Sequence, residues 1–154
     1  ADSTLQVNLL APMEVCRLAL PLLRQGQTPL IVNVGSVLGH VPAPRKATYV
    51  ASKYGLRGFS NAIRLELAPD GIDVLLVSPS TTATEFFDSA TSDPDLRERI
   101  ARRAMSPEEV ARQVARAMER GKREIILSIG GRAIVRLHRI ARWLAERLMM
   151  RFAD

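Results

Sequence analysis

The chain has 154 residues, 47% of them hydrophobic and 25% charged, which suits one globular domain able to bury its own core. Its single cysteine, Cys16, excludes an intrachain disulfide and a cysteine-rich metal cluster, so no metal site is expected and the thiol reads as buried. No signal-peptide pattern opens the chain and no apolar run reaches the length of a membrane span, so the expected setting is reducing and cytoplasmic.

Leu5, Leu9, Met13, Cys16 and Leu20 recur at helical spacing and predict a helix over residues 3–24, closed by a Gly/Pro-containing stretch at 25–29. Asn8 faces inward near its start, where a polar side chain ordinarily satisfies a local backbone group. The run Leu30-Ile31-Val32-Asn33-Val34 predicts a buried parallel strand, residues 30–35. Ser36 then falls at the strand's carboxyl end, where open α/β sheets place ligands. The loop 37–48 would wall a pocket there, with Leu38, Gly39, His40 and Val41 as candidate substrate contacts. His40 has no second histidine or carboxylate at useful spacing, so it reads as lining the pocket or facing solvent rather than as a base.

A helix over residues 47–68 carries Tyr49 and Lys53 one turn apart on one face and stops at Ala68-Pro69-Asp70-Gly71. An ammonium held beside a tyrosine favours the phenolate and poises it for general acid–base work. Alone, that spacing is a weak signal, because an exposed tyrosine beside a solvated lysine shares it. Strand 72–78 is nearly all apolar, the mark of burial on both faces. A polar turn follows at Pro79-Ser80-Thr81-Thr82-Ala83-Thr84, then a charged stretch over 85–105. Ser106 with Pro107, Glu108 and Glu109 starts another helix, which ends before Gly121. A last strand is expected over 122–129, punctuated by Gly130-Gly131.

From Arg132 the pattern predicts one basic amphipathic helix over 132–154. Ile134, Leu137, Ile140, Ala141, Leu144 and Leu148 form its stripe, with arginines mostly beside it. Residues 1–96 carry seven basic and nine acidic groups and residues 97–154 fifteen and seven, so the net charge of +6 comes from the C-terminal part. Such a helix packs on the sheet or on a partner subunit, or lies at an anionic membrane surface. Nucleic-acid binding is not expected, for want of a recognition motif.

Asn8, Ser36 and the Tyr49-x-x-x-Lys53 pair thirteen residues after Ser36 together resemble the short-chain dehydrogenase/reductase family. Residues 49–66 are similar to that family's central helix and residues 72–79 to its strand before the cofactor turn; the likeness runs from Asn8 to about Thr84. It implies a Rossmann-like doubly wound parallel sheet with helices on both faces, and an NAD(P)-dependent oxidoreductase acting on a small-molecule alcohol/carbonyl pair. By the same resemblance, Ser36 holds the substrate carbonyl, Tyr49 transfers the proton, and Lys53 supports Tyr49 and binds the nicotinamide ribose. Asn8 would kink its helix and keep a water path. Asn8, Tyr49, Lys53, Pro79, Ser80, Thr82 and Thr84 would bind NADP or NAD, and Ser36, Leu38, Gly39, His40 and Tyr49 would meet substrate. Ser80 stands where the family usually has glycine. The stretch 85–105 would be a substrate lid, and Leu38, Val41, Phe86 and Phe87 hint at an apolar substrate. The implied assembly is a homodimer or homotetramer through the helices of Asn8 and Tyr49.

The sequence departs from the family in one large respect. Neither Gly-x-Gly-x-x-Gly nor Thr-Gly-x-x-x-Gly-x-Gly occurs, nor the acidic residue that follows. The expectation is therefore the C-terminal portion of a longer dehydrogenase, with residues 1–131 as partial catalytic domain and 132–154 as tail helix. The rival expectations are a non-catalytic interaction module that cannot hold cofactor, and a membrane-peripheral reductase of a lipid-like substrate.

Overall fold

A computed structural model of the chain describes residues 2–80 and 105–150. The first helical stretch runs from Asp2 to Leu23, but it is not one α-helix. Helix α1 (Asp2–Leu5) passes through a π-turn (Gln6–Leu10) into α2 (Ala11–Leu23). Pro12 explains the interruption. It has no N–H for the Asn8 carbonyl four residues back, and its ring would press on that carbonyl. The backbone responds by bonding the Ala11 N–H to the Gln6 carbonyl, five residues back.

Strands β1 (Leu30–Val34), β2 (Asp73–Ser78) and β3 (Glu124–Ile126) form a parallel sheet in that order, with Val34 opposite Val77 and Ser78 opposite Ile126. Between β1 and β2 lie a 3-10 turn (Val37–Gly39) and helix α3 (Ala47–Leu67); helix α4 (Pro107–Glu119) precedes β3. Strand alternation divides the core. Ile31 and Val74 face Cys16, Ile63 and Leu67 from α2 and α3, while Leu75 and Val77 pack with Ala117 of α4 and with Leu127. Helices thus cover both faces, the doubly wound arrangement the sequence pattern predicts. Cys16 is buried, and burial pushes its thiol pKa up.

The C-terminal part departs from the sequence-based expectation. Strand β3 ends at Ile126, and the Ser128 side chain caps helix α5 (Ile129–Ile140) by accepting from the Gly131 N–H at 2.8 Å. Gly130-Gly131, expected as punctuation, lies inside the helix. The reason is a close approach: a Cβ on Gly131 would fall 2.8 Å from Val37 Cγ2, so only glycine lets α5 start against the turn after β1. At Ala141 (φ −134, ψ 73) the backbone leaves the helix, and α6 (Arg142–Met150) follows in a new direction. A straight continuation would carry those residues about 13 Å further along the α5 axis. The bend instead buries Ala145 and brings Met149 to the cluster of Val37, Val41 and Val135.

The loop after β1 is also held tightly against α3. A Cβ at Gly39 would come within 2.8 Å of the Lys53 backbone carbonyl oxygen, and neither backbone can yield cheaply. Gly39→Ala should therefore lower the unfolding free energy by about 1–3 kcal/mol in urea titrations. An unchanged midpoint would refute that contact.

Candidate active site

Ser36 follows the last ladder residues of β1. Its Oγ accepts the Leu38 N–H at 3.1 Å and so caps the 3-10 turn, leaving the hydroxyl hydrogen to be donated elsewhere. Two backbone bonds fix its position: Gly35 N–H to the Val77 carbonyl at 2.7 Å, and Val37 N–H to the Pro79 carbonyl at 2.9 Å. The turns after β1 and β2 are thereby joined.

Tyr49 and Lys53 lie in the first two turns of α3. The Lys53 Nζ donates to the Val34 carbonyl at 3.0 Å and sits 5.7 Å from the Tyr49 ring centroid. Burial lowers the Lys53 pKa from its ordinary 10.5. Asn8, in the π-turn, donates from Nδ2 to Ser52 Oγ over 3.4 Å, and Ser52 in turn donates to the Tyr49 carbonyl at 2.7 Å. One short polar chain therefore links the interrupted first helix to the turn of α3 that bears Tyr49 and Lys53.

Two hollows flank this junction. A cavity of about 1250 Å³ is lined by Ser36, Leu38, Tyr49 and Ser80, by Arg45 and Lys46 of the loop, and by Ile134, Leu137, Leu148 and Met149 of α5 and α6. A groove of about 600 Å³ is lined by Asn8, Lys53, Val34 and the apolar side of α2. The structure thus brings Ser36, Leu38, Tyr49 and Ser80 together, with Lys53 and Asn8 behind Tyr49. Pro79 takes part through its carbonyl, which Val37 occupies. Thr82, Thr84, Phe86 and Phe87 lie outside the described residues.

Gly39, His40 and Val41, expected among the substrate contacts, do not line the cavity; Val41 is buried against Val37 and Val135. Gly39 faces the Lys53 backbone. His40 is buried, its Nε2 3.0 Å from Ser78 Oγ and 3.4 Å from Glu124 Oε1. Burial, and secondarily the Arg57 guanidinium, push its pKa down to about 4 against the opposing pull of Glu124. The neutral imidazole therefore ties the loop to β2 through Ser78, with the Glu124 carboxylate of β3 close by. Sequence reasoning missed that role because Ser78 and Glu124 lie far from His40 in the chain. It also missed Arg45, whose φ of 58 places a non-glycine residue in the left-handed region at the cavity rim.

Among the described residues no three His, Cys, Asp or Glu side chains gather as a metal site, and no helix is long and apolar enough to cross a membrane.

Comparison with known proteins agrees with the parallel α/β fold. A family model described as short chain dehydrogenase matches residues 1–95. Carbonyl reductase family member 4 from Xenopus tropicalis is 37% identical over 117 residues, covering 76% of this chain and 50% of that protein. The chain spans half the length or less of the curated relatives it first matches. Among solved structures, a short chain dehydrogenase from Burkholderia cenocepacia J2315 in complex with NADP superposes with a TM-score of 0.80. That match covers 94% of this chain and 56% of that one at 23% identity, a likeness of fold. A short-chain dehydrogenase from Sphingobium yanoikuyae in complex with NADPH gives a TM-score of 0.68 at 30% identity, over 90% of this chain and 49% of that one.

The buried His40 makes stability depend on pH. Between its folded pKa of about 4 and its ordinary 6.5, the unfolded chain binds a proton that the folded chain does not. Its contribution is therefore complete above about pH 6.5 and falls away as pH drops toward about 4. With the solvent that reaches Arg57 and Glu124 allowed for, the loss is up to about 2 kcal/mol. The difference in unfolding free energy between the native chain and His40→Gln should shrink by that amount from neutral pH to about pH 4.5. A pH-independent difference would mean that His40 takes up its proton in the folded chain.

Proposed function

The chain belongs to the short-chain dehydrogenase family, and from that premise we propose that it carries the proton-transfer machinery of an NAD(P)-dependent oxidoreductase interconverting an alcohol and a carbonyl. Its parallel sheet, covered by helices on both faces, is the Rossmann-like α/β fold. The observation that carries the reading is that Ser36 and Tyr49 line one cavity while the Lys53 ammonium stands 5.7 Å from the Tyr49 ring.

In the reductive direction Ser36 Oγ donates a hydrogen bond to the substrate carbonyl and fixes its orientation. The Tyr49 hydroxyl gives its proton to the developing alkoxide, and the Lys53 ammonium stabilises the phenolate left behind. Asn8 acts behind them, holding the π-turn against Ser52 and, through a water path, replenishing the proton. The donor set suits a dinucleotide: an ammonium for ribose hydroxyls at Lys53, which lines the groove beside α2, and the small polar Ser80 on the cavity side. Asn8, Tyr49, Lys53, Pro79 and Ser80 would hold NADP or NAD, with Thr82 and Thr84 completing the set. The chemistry that such a cofactor supplies when bound is hydride transfer. Leu38, Ile134, Leu137, Leu148 and Met149 give the cavity an apolar wall, which favours an apolar substrate body.

A second copy of the chain is the partner we propose for the helical face opposite the sheet, where Leu10, Met13 and Leu18 of the first helical stretch and Leu65 of α3 are exposed. Sedimentation equilibrium should return a dimer or tetramer, and Leu18→Glu with Leu65→Glu should return a monomer. A native chain that sediments as a monomer would remove this partner.

In the full-length protein, Tyr49→Phe should lower turnover of a carbonyl panel with NADPH or NADH by about 10²–10⁴-fold. Cofactor affinity, read from nicotinamide fluorescence, should fall far less than turnover, because only one hydroxyl of the binding set is lost. Retained turnover would take Tyr49 out of its role. A native protein that turns over none of the panel would favour the non-catalytic interaction module, a reading motivated by the missing glycine-rich turn.

A further inference from the structure

Helices α5 and α6 are amphipathic in an unusual sense: each has an apolar inner face and an outer face that mixes large apolar side chains with arginine. On α5, Arg132, Arg136 and Arg139 fall within about 60° of one another around the axis, and Ile129 and Ile140 share the adjoining sector. On α6, Trp143, Arg147 and Met150 again fall within about 60°. These outer apolar groups are not partly covered residues. Ile129 is 79% exposed, Ile140 87%, Trp143 68% and Met150 59%. The opposite faces supply Ile134, Leu137, Leu148 and Met149 to the cavity wall beside Tyr49 and Ser36.

We propose that the outer faces of α5 and α6 are a docking surface for an anionic phospholipid bilayer, and that docking sets the cavity one helix layer from the membrane. Three features select this occupant. Of the five arginines on the two helices, Arg132 donates to the Ile126 and Leu127 carbonyls and Arg142 pairs with Glu146, which leaves Arg136, Arg139 and Arg147 to attract an anionic surface. The indole, the isoleucines and the methionine interleave with those arginines, as on helices that lie in a bilayer interface. At 12 and 9 residues the helices are too short to span, so they lie along the surface. A second copy of the same face fits poorly, because it would set one arginine strip against another.

The consequence for chemistry rests on the function proposed above. A reductase whose cavity wall is the underside of a membrane-docked helix pair draws its alcohol or carbonyl from the lipid phase. The substrate class is then a water-insoluble alcohol or carbonyl dissolved in the bilayer.

Trp143 is the only tryptophan in the chain, so its fluorescence reports this face alone. With vesicles of phosphatidylcholine containing phosphatidylglycerol, the full chain should co-sediment and its emission should shift to the blue. With pure phosphatidylcholine, or at raised ionic strength, both signals should weaken sharply. Replacing Arg136, Arg139 and Arg147 by glutamine should weaken binding about fivefold each, roughly a hundredfold together, with an unchanged far-ultraviolet dichroism spectrum. Ile140→Ser, which leaves every charge in place, should also reduce binding. Equal binding to neutral vesicles, no binding, or a blue shift produced by concentration or by duplex DNA without lipid would overturn the proposal. Tyr49→Phe should bind vesicles as the native chain does, so loss of turnover and loss of docking are read separately.

Discussion

The ladder between β1 and β2 does not stop where the strands do. Val34 pairs with Val77, and the next bonds continue from Gly35 to the Val77 carbonyl and from Val37 to the Pro79 carbonyl. Ser36 is therefore held on both sides by backbone bonds that belong to the sheet. The remaining placements follow from that edge. The 3-10 turn capped by Ser36 presents Gly39 to the Lys53 backbone, and Lys53 reaches back to the Val34 carbonyl at 3.0 Å. Loop, helix and strand thus constrain one another around the spot where Tyr49 faces the cavity. Such mutual constraint is what a proton-transfer site needs, since its groups must hold their geometry before substrate arrives.

Helix α3 can take this position because its inner face is made small at chosen places. Ser52, Leu56, Ser60, Ile63 and Leu67 are its buried residues, spaced at three and four. The two serines receive polar groups from neighbouring elements: Asn8 meets Ser52, and the buried strand residue Asn33 donates to Ser60 Oγ at 2.9 Å. Gly55 completes the set, for a Cβ there would fall 2.9 Å from a Leu9 methyl. A buried asparagine in a parallel strand would otherwise carry an unsatisfied amide. Here the polar groups bridge the helix–sheet and helix–helix seams and fix one packing arrangement among several that apolar contact alone would allow.

What could be read from the sequence was what local spacing determines. The apolar runs gave β1 and β2, and the four-residue separation put Tyr49 and Lys53 on adjacent turns. Pro12 could also have been read for the π-turn at Asn8, because a missing N–H acts four residues back whatever the fold. The failures share a different cause. His40 looked like a pocket residue because its partners, Ser78 and Glu124, come from two other strands. Gly131 looked like punctuation because its purpose is to clear Val37, nearly a hundred residues earlier. No pattern within a window of the chain encodes either approach.

The tail shows the same limit. On sequence, the stripe from Ile134 to Leu148 posed a choice between packing on the protein and facing a membrane. That choice assumed one straight helix with one apolar face. The break at Ala141 removes the assumption, because α6 takes a new azimuth and the stripe divides. Leu137 and Leu148 line the cavity, while Ile140, counted in the same stripe, is left 87% exposed. A pair of short helices can therefore wall a cavity on one side and offer an arginine-rich, indole-bearing face on the other. Because both faces belong to the same two helices, a change that tilts the outer face carries Leu137 and Leu148 of the cavity wall with it.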